Sequence, residues 1–366
     1  MEVMDINFWK SRKVFVTGHT GFKGSWLALW LLSMGAEVCG YALDPPTEPS
    51  LYRLLDLDGQ LKSVRGDIRD LAALETAVRD FQPEVVIHMA AQPLVRLSYQ
   101  NPVETYSTNV LGTVHVLDVV RRTPSVRSVV MITSDKCYEN NEWHWPYREQ
   151  DTMGGHDPYS SSKGCAELVV SAYRHSFFPP EGDVAVASAR AGNVIGGGDW
   201  ALDRLVPDIA RAWGSGKPAI IRNPDAVRPW QHVLEPLSGY MVLAERLFID
   251  GPAFAEGWNF GPADSEARSV GDLISGLAKH WGDGATWCTV KSEKEQHEAH
   301  LLRLDSSKAH ARLGWWPRWN FSETLDYTAE WYKRFYGREE MRAFSLEQIQ
   351  FFMSGTKNHK TSDVSA

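Results

Sequence analysis

Short apolar runs alternate with stretches whose apolar positions recur every three or four residues, and this rhythm fills the first half of the chain. "KVFVTG", "EVCGYAL", "VVIHMAA", "SVVMITS" and "VAVASAR" have the length and the valine and isoleucine content of strands. Between them, residues 25–34, 71–81, 102–121 and 158–175 carry helical spacing. The strands are apolar throughout rather than at alternate positions, so both faces of their sheet must be covered. The pattern predicts an α/β fold, a doubly wound Rossmann-type parallel sheet. From about Gly192 the character changes: "GNVIGGGDWALDRLVPD" is rich in glycine, and "AIIRNPDAVRPWQHV" suggests an irregular hairpin. The expected division is a Rossmann domain over 1–191 and 231–264, and a smaller mixed α/β C-terminal lobe over 192–230 and 265–352. A polar tail, 353–366, is expected to lack fixed structure.

Composition narrows the partners. With 366 residues, 43% of them hydrophobic, the chain has material for a large core and more than one domain. Its 46 acidic and 38 basic residues give a net charge of -8, which argues against a nucleic-acid surface and leaves room for a small anionic ligand. Four cysteines, Cys39, Cys137, Cys165 and Cys288, lie far apart with no C-x-x-C pair, as in a reduced cytoplasmic protein. The N-terminus has no signal-peptide core, and the longest apolar run, 26–36, is about half of what a membrane crossing needs. No membrane partner is expected. Trp315, Trp316 and Trp319 are expected to pack in a core or interface rather than to form a ligand platform.

Chemistry starts at "VFVTGHTGFKGSWL", where Gly18, Gly21 and Gly24 follow the first strand and open a helix. Glycines let the backbone turn and approach a pyrophosphate, and the helix N-terminus offers that anion free N–H groups and a positive dipole end. His19, Phe22 and Lys23 complete the turn. Asp44 ends the second strand about 20 residues on, where a carboxylate binds the adenosine ribose diol and repels a 2′-phosphate. The cofactor predicted is therefore NAD rather than NADP. Asp67 and Ile68 in "GDI" are placed at the adenine edge, with Ala90, Ala91 and Gln92 of "HMAAQ" along the cofactor's path.

"DPYSSSKGCAELVV" puts Tyr159 and Lys163 four residues apart on one helix face, behind an Asp157 cap and Pro158. A cationic lysine favours the phenolate, and a phenolate beside NAD takes the proton of a substrate hydroxyl as its carbon gives up hydride. "MITSDKCYEN" then ends a buried strand with Ser134, Asp135 and Lys136. Successive strand residues face opposite ways, so Asp135 and Lys136 both meet one substrate only if the strand ends at about Ser134.

In the order "TGHTGFKG", "HMAAQ", "TSD", "YSSSK", the chain resembles the extended short-chain dehydrogenase/reductases that act on nucleotide sugars. "TGHTGFKGSWL", "TSDKCYEN" and "RPWQHVLEP" resemble most the 4,6-dehydratase branch that takes CDP-glucose. The resemblance implies oxidation at C4, loss of water across C5 and C6, and return of hydride to C6, in deoxysugar synthesis. It gives Tyr159 and Ser134 the C4 oxygen, Asp135 the departing C6 hydroxyl as a general acid, and Asn109 a place in the cofactor site. Asp135 then needs burial to stay protonated at neutral pH. Where the dTDP-glucose branch has a glutamate as C5 base this chain has Lys136, and base or cationic stabiliser of an enolate both stay open. The resemblance also implies substrate contacts from Ser134, Asn193, Arg204, Leu205 and Arg228, and a homodimer or dimer of dimers paired through 102–121 and 158–175. His297 and His300, near Glu293 and Glu298, lack a standard ligand spacing, so no metal is expected. A same-fold epimerase or dehydrogenase, which needs no acid–base pair beyond Tyr159 and Lys163, is the rival enzyme. A non-catalytic NAD sensor is the rival from another class.

Overall fold

The computed structural model describes residues 4–263, 266–282, 284–290 and 301–355. Seven parallel strands form one sheet: β1 (Lys13–Thr17), β2 (Glu37–Ala42), β3 (Lys62–Arg65), β4 (Val85–His88), β5 (Ser128–Ile132), β6 (Ala185–Arg190) and β7 (Gly257–Asn259). Their spatial order is β3-β2-β1-β4-β5-β6-β7, so the chain reverses direction across the sheet between β1 and β4. Pleating sends Val14, Val16, Val85, Ile87, Val130 and Ile132 to one core, and Phe15, Val86, Val129 and Met131 to the other. Both cores are needed because helices cover both faces, which is why the central strands β1, β4 and β5 carry apolar residues on both sides.

Helix α1 (Phe22–Ser33) buries Trp26 and Trp30 in the first core, and α2 (Leu71–Phe81) supplies Leu74, Ala77 and Val78 to the second. Helix α3 runs through Pro102–Tyr106, a π-helical stretch Ser107–Leu111 and Gly112–Val120. Helix α4 (Pro158–Phe177) starts as its sequence requires, with the Asp157 side chain accepting the Ser160 N–H at 2.9 Å and proline in the first turn. Helices α5 (Leu205–Gly214), α6 (Leu234–Asp250), α7 (Val270–Trp281), α8 (Phe321–Tyr336) and α9 (Met341–Ser354) follow. Helix α6 returns to the sheet, where its Ala244 carbonyl accepts from Ser128 Oγ of β5 at 2.8 Å. None of the described helices is long and apolar enough to cross a membrane.

Two expectations need correcting. Ala219–Ile221 and Val227–Arg228 do not form a hairpin with each other. The first pairs in parallel with Trp287–Thr289, and the second antiparallel with Arg268–Ser269. Asn223, Pro224 and Asp225 carry the chain from one partner to the other, a tertiary choice that turn residues alone do not reveal. The tail starts later than 353, because α9 continues through Met353 and ends at Ser354 on a left-handed Gly355 cap. Trp315 is buried and donates to Ser238 Oγ at 2.9 Å, and Trp319 stacks on Tyr327 at 3.9 Å. Trp316, by contrast, is 61% exposed and lies over His310.

Candidate active site

Site residues gather at the carboxyl ends of the strands, around the reversal between β1 and β4, where open α/β sheets hold their ligands. Gly18 has φ +77, and a Cβ there would lie 2.8 Å from the Ala90 backbone nitrogen. A Cβ on Gly24 would collide with the Gly18 carbonyl, so both glycines are needed to bring turn, helix and β4 together. Gly21 differs: a Cβ on it would meet only the Gly18 carbonyl, at 3.5 Å, an ordinary contact. Gly21 is also the N-cap of α1, and no side chain caps that helix. Its uncapped N–H groups above a backbone without Cβ atoms suit the pyrophosphate of NAD.

Around the turn, His19 is fully buried, its Nε2 2.8 Å from Ser63 Oγ and its Nδ1 without a partner among the described residues. Burial, and then the charge of Arg65, push its pKa down to about 4, so the imidazole is neutral. Asp44 is exposed at the end of β2, as a ribose contact requires, and Arg65 Nε donates to it at 3.0 Å. The Asp67 carboxylate is taken by Arg69, which holds it below the usual range, while the Asp67 carbonyl accepts from Tyr41. Ile68 is buried against Gly112. Gln92 and Asn109 bond each other: the Gln92 N–H donates to Asn109 Oδ1 at 2.8 Å, and Asn109 Nδ2 donates to Gln92 O at 3.1 Å and Ser162 Oγ at 2.9 Å. They shape the loop that carries Ala90 and Ala91 and tie it to α3 and α4.

Tyr159 and Lys163 are buried on one face of α4. Lys163 Nζ donates to the carbonyl of Ile132, the last residue of β5, at 3.5 Å, which fixes the helix against the strand end. Burial pushes the Tyr159 phenol up to about 12. The hydrogen bond with Ser134 and the charge of Arg204 pull it back, and Asp135 pushes with the burial. In the folded protein burial dominates, and the leading opposing groups are Ser134 and Arg204. Lys163 itself is lowered to about 8 by burial, with Glu167 as the leading charge that resists.

Strand β5 ends at Ile132, and Asp135–Cys137 coil into a 3-10 turn, which lifts the alternation of sides at this point. Ser134 Oγ donates to Asp135 Oδ1 at 2.9 Å and accepts from the Lys136 N–H at 3.2 Å. Asp135 is 2% exposed, and its Oδ2 has no partner among the described residues. That oxygen packs over Gly192 so closely that a Cβ there would collide with it. Lys136 is half-buried.

Sequence reasoning missed two features. Lys23 donates from Nζ to Tyr240 OH of α6 at 3.3 Å. Burial, with Arg204 and Lys163 nearby, lowers it to about 7. Tyr240 lies 217 residues away, beyond the reach of any local pattern. The second is Asp199, which binds Arg204 at 2.8 Å, so the predicted substrate arginine is already ion-paired at the start of α5 beside Leu205. Asn193 adopts φ +46 and its carbonyl accepts the Gln231 N–H. Arg228 sits on the short ladder with Arg268, its Nη1 donating to the Val227 carbonyl at 2.9 Å. His297, His300, Glu293 and Glu298 lie outside the described residues.

Known proteins place this architecture. Residues 15–328 match the family model described as GDP-mannose 4,6 dehydratase. The CDP-glucose 4,6-dehydratase of Salmonella typhimurium is 56% identical over 358 residues, 97% of this chain and 99% of that one. The solved structure of MoeE5 in complex with UDP-glucose and NAD has a TM-score of 0.74 and 26% identity over 88% of this chain and 99% of that one. The dTDP-glucose 4,6-dehydratase of Bacillus anthracis, solved in complex with NAD, shares the fold with a TM-score of 0.73 at 22% identity, covering 88% of this chain and 97% of that one. On a match that spans almost its whole length, the chain belongs to the nucleotide-sugar 4,6-dehydratase family of extended short-chain dehydrogenase/reductases.

Proposed function

We propose that this protein is an NAD-dependent hydro-lyase that converts CDP-glucose to CDP-4-keto-6-deoxyglucose, a step of deoxysugar synthesis. The observation that carries this reading is Asp135: a carboxyl buried beside the Tyr159 phenol, with one oxygen unpartnered among the described residues. An epimerase or simple dehydrogenase has no use for an acid there. The Salmonella relative, whose printed activity is on CDP-glucose, supports the choice of nucleotide.

Bound NAD supplies the hydride acceptor for C4 and the donor for C6. Tyr159 takes the proton of the C4 hydroxyl, and Ser134 holds the same oxygen. The phenol starts near 12, so it must be lowered when substrate and the cofactor's positive ring arrive, with Ser134 and Arg204 already placed to help. Asp135 gives a proton to the C6 hydroxyl as it leaves. Lys136, on the same 3-10 turn, serves the C5 step. Asn193, Leu205, Arg204 and Arg228 belong to the nucleotide's side of the cleft.

Two further readings belong to the whole particle. Val103 and Leu111 of α3 and Leu168 and Phe177 of α4 are 82%, 46%, 61% and 49% exposed. Apolar side chains in such numbers on two neighbouring helices support a two-fold homodimer through this face, alone or within a dimer of dimers. All four cysteines are unpaired, in keeping with the cytoplasm.

The test is turnover of CDP-, dTDP-, UDP- and GDP-glucose by the purified protein, with and without added NAD, and products identified by mass. Loss of one water from CDP-glucose without net NADH is the expected result. Net NADH, or an isomer of unchanged mass, would sink the lyase reading.

A further inference from the structure

The reacting groups come from two separate elements. Ser134, Asp135 and Lys136 follow β5, whereas Tyr159 and Lys163 stand on α4. Glu167 lies one turn beyond Lys163 and two beyond Tyr159, on the same stripe of the helix. Its carboxylate is 5% exposed and accepts from Arg190 Nε at 2.9 Å, Arg190 Nη2 at 2.8 Å and Ser188 Oγ at 2.7 Å. It also accepts from Thr133 Oγ1, and Thr133 is the residue directly before Ser134. Arg190, the last residue of β6, is 4% exposed and donates from Nη1 to Tyr138 OH at 2.7 Å and to the Glu149 carbonyl at 3.0 Å. Tyr138 comes directly after the Asp135–Cys137 turn, and its hydroxyl donates onward to Asn259 Oδ1 of β7 at 2.8 Å. One buried ion pair therefore grips both ends of the segment that carries Ser134, Asp135 and Lys136.

Stability alone is a weak reason for such a pair. Taking two charges out of water costs about what their attraction returns, and apolar side chains of similar volume would fill the space as well. What the pair adds is direction, since its bonds are all satisfied and fixed in angle. We propose that Glu167 and Arg190 are positioning residues of the reaction: they set the Ser134–Lys136 turn against the Tyr159–Lys163 face of α4. Neither residue touches the sugar. This inference rests on the dehydratase reading and deepens it. Glu167 is also the leading group that resists the loss of charge on Lys163, which burial favours. A reacting geometry held this way loses rate, not substrate affinity, when one tether is cut.

The experiment cuts each tether singly. Thr133→Val removes one hydroxyl and leaves the ion pair whole, Thr133→Ser restores the hydroxyl, and Tyr138→Phe frees the other end. Glu167→Gln keeps shape and removes charge. For each, kcat, KM for the nucleotide sugar, the rate at which NADH absorbance appears transiently, and Tm are measured. Thr133→Val and Tyr138→Phe are expected to lower kcat and the NADH rate about tenfold or more with KM unchanged, and Thr133→Ser to recover most of the loss. Glu167→Gln is expected to move the alkaline limb of kcat to lower pH. Unchanged kcat and pH limb across these variants would overturn the proposal. So would losses that follow Tm alone and are not rescued by Thr133→Ser. If the wild-type enzyme turned over a different nucleotide sugar, only the substrate reading would fall, because the same variant-to-wild-type ratios would be read on that sugar.

Discussion

Tyr159 shows how far one residue's chemistry departs from its local pattern. Four-residue spacing to Lys163 implies a lysine-governed phenol, yet burial holds it near 12, and Ser134 and Arg204 lead the opposition. Tyr159→Phe is expected to reduce kcat by about 10²–10⁴-fold, in the range of a lost general base, and turnover of CDP-glucose measures it. Asp135→Asn removes the acid but leaves oxidation in place, so NADH absorbance should build up on mixing with substrate while product is lost. Lys136 separates its two possible roles through Lys136→Arg: a guanidinium keeps the charge but does not act as a base near neutral pH. Retained activity identifies cationic stabilisation, and loss equal to that of Lys136→Met identifies a base. For Lys163 the sign is simple. Its folded pKa is about 8, so the ammonium is present below that pH and lost above it, and kcat should fall as pH rises through about 8.

At the scale of elements, the β1–α1 turn assigns different tasks to its glycines. Gly24→Ala collides with backbone and should cost the fold, whereas Gly21→Ala meets nothing closer than 3.5 Å. Gly21→Ala should therefore lose about 1 kcal/mol or less of stability as an N-cap change, while NAD affinity measured by calorimetry falls far more. At the other side of the sheet, Glu235 in the first turn of α6 accepts the backbone N–H groups of Arg318 and Trp319, and burial lifts its pKa from 4.5 to about 8. The folded state then holds a proton that the unfolded state releases, so this group's contribution to stability is full below about pH 4.5. It declines as pH rises toward 8, by about 1.4 kcal/mol per unit at most. Glu235→Gln should flatten that slope in denaturation curves taken from pH 5 to 8. An unchanged slope would remove Glu235 as its source.

Across the whole molecule, the exposed apolar residues of α3 and α4 predict assembly. Leu168→Glu should shift the sedimentation coefficient from dimer to monomer, because a charge at the centre of an apolar interface is left unpaired. The same scale explains what the chain hid from a linear reading. The hairpin expected at 219–233 became three ladders with distant strands, since short runs joined by turn residues do not say which strand each will meet. Arg204 was expected at the substrate from the resemblance, but its pairing with Asp199 depends on how the loop before α5 folds. Lys23 was legible as part of the glycine turn, and its contact with Tyr240 was not.

The doubly wound sheet, the order of its loops, the NAD-type turn and the Tyr159–Lys163 face could all be read along the chain. All of these are written in periodicity and short spacing, where neighbours in the chain are neighbours in space. Which charges are paired, and how each is tuned, came from folding alone. Burial, the Oδ2 of Asp135 that is unpartnered among the described residues and lies over Gly192, and the Glu167–Arg190 pair that bounds the Ser134–Lys136 turn arise from contacts between segments far apart in sequence. Desolvation is a property of a surrounding, and a surrounding exists only once the chain has folded.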